Sequence, residues 1–205
     1  MPTVLPVAQS LSLLHQYKIP TCEFYVCREP FELSEVPFKF PWAMKLSSDR
    51  IVHKTEQKAV YTNIQNRTDA NTTFSELQKR DPRAPILVQP HLDGTELFIG
   101  SNQDIQFGPT ILVGLGGVFV ELLKDTSIRV LPVSIDDCRQ MIRDLKHQAV
   151  LAGFRGKPKV DTDQLAKILL QTSKMIQENQ FLELDINPLI ATKKGIYAVD
   201  ARIVK

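Results

Sequence analysis

Apolar positions along this chain switch repeatedly between a spacing of two and a spacing of three to four, which predicts a mixed α+β fold. Val7, Leu11 and Leu14 keep helical spacing, so Val7 to Tyr17 is predicted as a short helix stopped by Lys18-Ile-Pro20. Cys22 to Cys27 reads as a strand, and residues 28–41, with three prolines, as an irregular connector. Trp42 to Leu46 is a short strand with Lys45 inside it, 47–58 a polar loop, Val60 to Gln65 a strand, and Thr68 to Arg80 a helix ended by Asp81-Pro82. Ile86 to Gln89 and Glu96 to Gly100 are strands joined by Pro-His-Leu-Asp-Gly. Strands follow at Thr110 to Val113, Val118 to Leu123 and Ser127 to Val133. Ser134-Ile-Asp-Asp137 is a capping box that opens a helix to about Lys146. Gly153-Phe-Arg-Gly156 reads as a loop. A long helix from about Asp161 to Glu178 carries Leu165, Ile168, Leu169, Thr172, Met175 and Ile176 on one stripe.

The chain closes on a predicted β-hairpin, Phe181 to Ala191 and Gly195 to Arg202, with Lys193-Lys194-Gly195 as its turn. Strand side chains alternate, so Leu182, Leu184 and Ile186 face one way and Glu183, Asp185 and Asn187 the other. In the return strand Tyr197, Val199 and Ala201 oppose Ala198, Asp200 and Arg202. If Thr192 pairs with Gly195, Asn187 lies directly opposite Asp200; if Lys193 pairs with Ile196, Asp200 is its diagonal neighbour. Either register brings an amide oxygen and a carboxylate within reach of one hard cation. Mg²⁺ held by so few protein groups usually arrives with a nucleotide phosphate.

Composition narrows the class without choosing the chemistry. A 205-residue chain with 43% hydrophobic and 23% charged residues fits a folded protein of one large domain or two lobes. A net charge of +2, with basic residues scattered, argues against nucleic acid as a partner. Three cysteines at no metal-binding spacing predict a reduced, intracellular setting and buried, inert thiols. No signal peptide and no membrane-length apolar run are expected, so the predicted location is cytoplasmic. The proline-rich stretch at 81–90 predicts a hinge between a smaller lobe, 18–85, and a larger one, 1–17 plus 86–205.

Several residues admit both a plain reading and a chemical one. Lys45 is either solvent-facing or a phosphate ligand. Gly114-Leu-Gly-Gly117 is either a tight turn or a backbone cradle for an anion, with no Gly-Lys-[Ser/Thr] following. Glu121, Asp125 and Arg129 are either surface charge or orienting groups for Mg²⁺ and phosphate. His53 is either a solvated loop residue or a nucleophile for a phosphoryl group. His15, His91 and His147 have no carboxylate or cysteine at ligand spacing and are expected to be structural.

Phe107-Gly-Pro-Thr-Ile-Leu-Val-Gly-Leu-Gly-Gly-Val-Phe-Val-Glu-Leu-Leu-Lys-Asp-Thr-Ser-Ile-Arg129 resembles the signature of the ATP-grasp domain of NDP-forming acyl-CoA synthetases. So do Leu151 to Gly156, Glu183-Leu-Asp-Ile-Asn-Pro188 and Ala198-Val-Asp-Ala-Arg202. The length is similar to the stand-alone β subunit of the ADP-forming acetyl-CoA type. The resemblance implies an ATP-grasp fold of two α+β lobes gripping ATP or ADP. It implies the reaction acyl-CoA + ADP + phosphate ⇌ acid + CoA + ATP, run with a separate CoA-binding α subunit in an α2β2 assembly. Matched position by position, it implies that Lys45 contacts phosphate, Gln89 lies where adenine is held and Glu96 contacts nucleotide. Asn187 and Asp200 become the Mg²⁺ ligands. Asp185 meets the partner's phosphohistidine loop, and His53 becomes a second phosphoryl carrier. One departure stands out: Gln57-Lys58-Ala59 replaces the Val-Gly-Gly usual after His-Lys-[Ser/Thr]-[Asp/Glu]. It leaves open a non-catalytic, nucleotide-sensing or structural ATP-grasp subunit.

Overall fold

The structure is a computed structural model that describes residues 2–48, 59–117, 125–154 and 156–205. The predictions for His53, Glu121, Gln57, Lys58 and the strand at Val118 to Leu123 lie outside the described residues. The chain divides into two units, one of residues 6–8 and 22–92 and the other of 1–5, 9–21 and 93–205. The expected boundaries were 17/18 and 85/86. Residues 86–92 go with the first unit because β4 (Ile86–Pro90) is an inner strand there, bonded on both edges.

The first unit is a four-stranded antiparallel sheet in the order β1-β4-β2-β3, with β1 at Tyr25–Cys27, β2 at Trp42–Leu46 and β3 at Val60–Ile64. The predicted strand from Cys22 shrinks to three residues, and the connector after it contains a 3₁₀ turn, Pro30–Glu35. Trp42, Met44, Leu46, Ile86 and Val88 form the core with Ala70, Phe74 and Leu77 of α2 (Arg67–Arg80), the helix that follows α1 (Val7–Gln16) in the chain. Asn66 caps that helix by accepting from the Asp69 N–H at 3.0 Å. Trp42 is fixed on three sides. Its ring stacks on Phe40 at 4.0 Å, lies under the Arg67 guanidinium at 5.3 Å, and its indole N–H donates to Phe38 O at 3.1 Å. Ala59, at one of the departing positions, is fully buried in this core, and its carbonyl accepts from the Leu46 N–H at 3.0 Å. A methyl group is therefore accommodated there.

The second unit is a six-stranded antiparallel sheet. Its path is β10-β8-β5-β6-β7, with β9 also paired to β8. The strands are β5 (Thr95–Asp104), β6 (Gly108–Leu115), β7 (Thr126–Val130), β8 (Glu183–Thr192), β9 (Gly195–Ala198) and β10 (Arg202–Val204). The N-terminal residues belong to this sheet: Thr3 exchanges two backbone hydrogen bonds with Lys205, and the Leu5 N–H donates to Ile203 O. Helix α3 (Ile135–Arg143) opens on the predicted capping box, with the Asp137 N–H donating to Ser134 Oγ and the Ser134 N–H to Asp137 Oδ2. A single-turn helix, α4 (Gln148–Leu151), was not expected. Helix α5 (Thr162–Asn179) buries its whole predicted stripe. Helices α3 and α5 pack on each other and on one face of the sheet, against β7, β6 and β9. Leu97, Ile99, Ile111, Val113, Leu184 and Ile186 supply that face. All three cysteines are free and buried; burial pushes the Cys22 thiol up to about 11 and Cys27 up to about 12. They are inert thiols.

Candidate functional site

The closing ribbon takes the first of the two predicted registers. Thr192 pairs with Gly195 and Leu189 with Ala198, and beyond a break at residues 199–201 Asp185 pairs with Arg202. No residue is gained or lost across the break, so Asn187 stands opposite Asp200. The Val199 N–H donates to Pro188 O at 3.2 Å, which makes that pair the bonded one. Asn187 and Asp200 thus occupy matching positions on the two arms, inside the break between the paired segments. The Asn187–Pro188 peptide is cis.

Two details of the predicted alternation need correction. Leu182 does not join the buried side; it precedes the first strand residue and is 48% exposed. In the return arm Ala198 and Ala201 are both buried, although simple alternation puts them on opposite faces. The arm leaves the ladder between β9 and β10, and the two strands resume with opposite parity.

The face of the sheet opposite α3 and α5 carries the candidate residues. One rung crosses five strands through Arg202, Asp185, Gly100, Leu112 and Ile128. It is charged at the β10 end and apolar at the β7 end. Asp185 and Asn187 share this face, because Leu184 and Ile186 between and beside them point into the core. Burial pushes the Asp185 carboxyl up to about 6; the neighbouring charges of Glu183 and Asp200 add to the rise, and Arg202 opposes it. Arg202 forms an ion pair with Glu183. Among the described residues no group of three or more His, Cys, Asp or Glu side chains is placed to hold a metal. The amide and carboxylate of Asn187 and Asp200 are hard oxygen donors suited to Mg²⁺, and their small number fits an ion whose shell is completed by phosphate and water.

Glu96 is exposed on the same sheet, between the buried Thr95 and Leu97. The glycine run closes over it. The Gly116 N–H donates to Glu96 O at 2.7 Å, and a Cβ on Gly117 would lie 2.5 Å from Glu96 Oε2. Gly117 also has φ +63, where a side chain is strained. The glycines are thus required by the approach to Glu96. Of the charges after the loop, Asp125 is used internally. Its carboxylate accepts from the backbone N–H groups of Lys146 and His147, both at 2.8 Å, and meets His147 Nδ1 at 2.9 Å. Burial alone would raise its pKa, but these bonds hold it below the usual carboxylate range. Arg129 pairs with Asp144 at 2.5 Å and tethers β7 to the end of α3. Neither is left to orient phosphate.

In the first unit Lys45 and Gln89 lie on the sheet face opposite the core. Lys45 pairs with Leu87 and Ala43 with Gln89, so the two polar residues are diagonal neighbours, roughly 7–8 Å apart at Cα. Lys45 is 3% exposed and Gln89 1% exposed. The solvent-facing reading of Lys45 is therefore overturned. Both amide atoms of Gln89 are buried, with no hydrogen-bond partner among the described residues. An unpaired buried amide costs several kcal/mol, roughly 2–7 by transfer scales, so a missing ligand or water is expected to satisfy it. Sequence spacing gave no sign of this orphan. Nor did it give the Arg202–Glu183 pair, although both residues lie in recognised motifs.

Comparison with known proteins supplies the context. Residues 2–204 match the ATP-grasp domain family. The β subunit of acetate–CoA ligase (ADP-forming) I from Pyrococcus furiosus is 36% identical, over 99% of this chain and 91% of that protein. Single-chain acetate–CoA ligases of Archaeoglobus fulgidus also match, and this chain spans under a third of their length, 29% and 30%. Among solved structures, acetyl-coenzyme A synthetase 1 of Ca. Korarchaeum cryptofilum, in complex with coenzyme A and Ca-AMPCP, superposes with a TM-score of 0.90 at 35% identity, covering 98% of this chain and 93% of that one. A second structure of that enzyme holds Mg-AMPPCP, with its phosphohistidine segment described as pointing towards the nucleotide-binding site. It superposes with a TM-score of 0.83 at 36% identity, covering 98% of this chain and 92% of that one.

Proposed function

The chain belongs to the ATP-grasp domain family, and from that premise we propose that it is the nucleotide-binding β subunit of an ADP-forming acyl-CoA synthetase. It works with a CoA-binding α subunit, in an α2β2 assembly, to run acyl-CoA + ADP + phosphate ⇌ acid + CoA + ATP. The observation that carries the reading is the ribbon register, which sets Asn187 opposite Asp200 with Asp185 beside them.

Each residue then has a role. Asn187 and Asp200 hold Mg²⁺, which when bound neutralises phosphate charge. Lys45 adds a buried positive point charge for the phosphates, Glu96 contacts the nucleotide, and Gln89 faces its base. Asp185 receives the partner's histidine. Its carboxylate accepts one imidazole N–H, which turns the other ring nitrogen toward phosphorus. In the ATP-forming direction an ADP oxygen attacks the phosphohistidine phosphorus, the P–N bond breaks, and the imidazole leaves. Positioning and charge neutralisation supply most of the rate. His53 serves as a second phosphoryl carrier on the same path.

Thermal unfolding of the chain with Mg-ADP tests the reading. At a ligand concentration one hundred times Kd, stabilisation of about 2.7 kcal/mol is expected by mass action. A flat response to millimolar Mg-ADP contradicts it. Binding without phosphoryl transfer in the presence of the α subunit identifies a sensing subunit instead.

A further inference from the structure

We propose that Ser47 is a further nucleotide contact in the first unit, its hydroxyl donating a hydrogen bond to the terminal phosphate of ADP. The inference rests on the nucleotide-binding role proposed above and adds to it a residue that sets how long a phosphate chain the site takes.

Ser47 continues the alternation of β2. Trp42, Met44 and Leu46 point into the core, so Ala43, Lys45 and Ser47 share the other face. The ladder to β4 runs one rung past the strand, because the Ser47 N–H donates to Pro85 O at 2.9 Å. Three successive rungs on that face are then Ala43 with Gln89, Lys45 with Leu87 and Ser47 with Pro85. Such rungs lie roughly 6.8 Å apart along the strand. With the base at the Gln89 rung and Lys45 on the phosphates, the next rung meets the phosphate farthest from the base. The Lys45 rung extends through Val26 on β1 and Val60 on β3, so an anion meets one positive charge along it and no carboxylate.

The Ser47 hydroxyl is buried and unused by the fold. Ser47 is 4% exposed, and its Oγ has no hydrogen-bond partner among the described residues. A buried hydroxyl without a partner is unfavourable, so such groups in folded proteins are nearly always bonded. Other hydroxyls of this chain follow that rule. Ser48, the next residue, donates to Asp81 Oδ2 at 2.7 Å, Thr110 to Asn102 O at 3.1 Å and Thr172 to Ile168 O at 2.8 Å. Ser10 of α1 is the other exception among the described residues, and no residue with a proposed nucleotide role shares its element. Ser47 instead adjoins Lys45 on one face. A hydroxyl there donates to a phosphoryl oxygen while the neighbouring ammonium offsets the charge.

The test is calorimetric titration of the full chain and of Ser47→Ala with Mg-ADP and with AMP, together with urea unfolding of both proteins without nucleotide. Ser47→Ala is expected to bind Mg-ADP about tenfold to a hundredfold more weakly, as for loss of one hydrogen bond to a charged group, and to bind AMP as the parent does. Its unfolding midpoint without nucleotide is expected to be equal to the parent's or higher, because an orphaned hydroxyl is removed. A variant that binds Mg-ADP as tightly as the parent overturns the inference and leaves the nucleotide site standing. So does a loss shared equally by AMP, or a lowered midpoint, either of which marks a hydroxyl that serves the fold. If the parent binds no Mg-ADP, both proposals fail. Where AMP binds neither protein measurably, the Mg-ADP ratio and the midpoint decide the matter.

Discussion

Asp185 is the residue at which the proposed function and stability pull apart. Its carboxyl is raised to about 6 first by burial, then by Glu183 and Asp200. The folded protein therefore holds that proton to higher pH than the unfolded chain, whose aspartate titrates near 3.9. Stability is lost as pH rises from about 4 through about 6, and it stays lower above that window. Asp185→Asn removes the cost. In metal-free buffer the variant is expected to be more stable than the parent at pH 7.5, by on the order of 2 kcal/mol, with the two equal below about pH 4. Urea unfolding of both proteins at several pH values checks this; a variant less stable at pH 7.5 contradicts the burial argument. Asp125 has the opposite sign. Its hydrogen bonds hold the pKa below the usual carboxylate range despite burial, so its contribution is present above about pH 4 and is lost on acidification. Buried Asp125 braces a turn, and half-buried Asp185 is charged at neutral pH at the expense of the fold.

At the scale of elements, the turn at Gly116-Gly117 and strand β5 are one device. Gly116 packs against the Glu96 backbone, where a Cβ would lie 2.8 Å from its carbonyl carbon, and the left-handed Gly117 follows with the Glu96 carboxylate beside it. Gly117→Ala is expected to cost about 1–2 kcal/mol in stability from backbone strain and contact, and to displace the Glu96 carboxylate. Mg-ADP affinity should fall with it. Unchanged stability and unchanged affinity would show that the close approach is not needed. Periodicity made much at this scale legible. The stripe on α5 is buried as predicted, the capping box at Ser134 forms, and the ribbon adopts one of the two registers that its turn sequence allowed. What periodicity missed has physical reasons. Alternation holds only while a strand stays in its ladder, so the break at 199–201 put Ala198 and Ala201 on the same, buried side. A five-residue strand buried on both faces has no polar side to orient it, so the direction of Lys45 was not readable. The burial of Gln89 with no hydrogen-bond partner among the described residues depends on tertiary packing, and no local pattern records it.

At the scale of the molecule, each unit contributes a sheet with one face closed by helices and a second face bearing polar residues that the core does not use. In the first unit the candidate residues on that face are Lys45 and Gln89; in the second they are Glu96, Asp185, Asn187 and Asp200. No helix among the described residues is long and apolar enough to cross a membrane. Local rules are broken at these candidate positions: in the first unit a buried lysine and an orphaned amide, in the second a carboxylate raised by burial and a ribbon that leaves its ladder. The most direct measurement is the effect of Mg²⁺ on ADP binding by calorimetry, for the parent chain and for Asn187→Ala and Asp200→Asn. Replacing EDTA with Mg²⁺ is predicted to tighten binding to the parent by at least about tenfold, a coupling of about 1.4 kcal/mol, and to leave both variants unchanged. Equal Mg²⁺ dependence in all three proteins would contradict a cation held by the two arms of the ribbon.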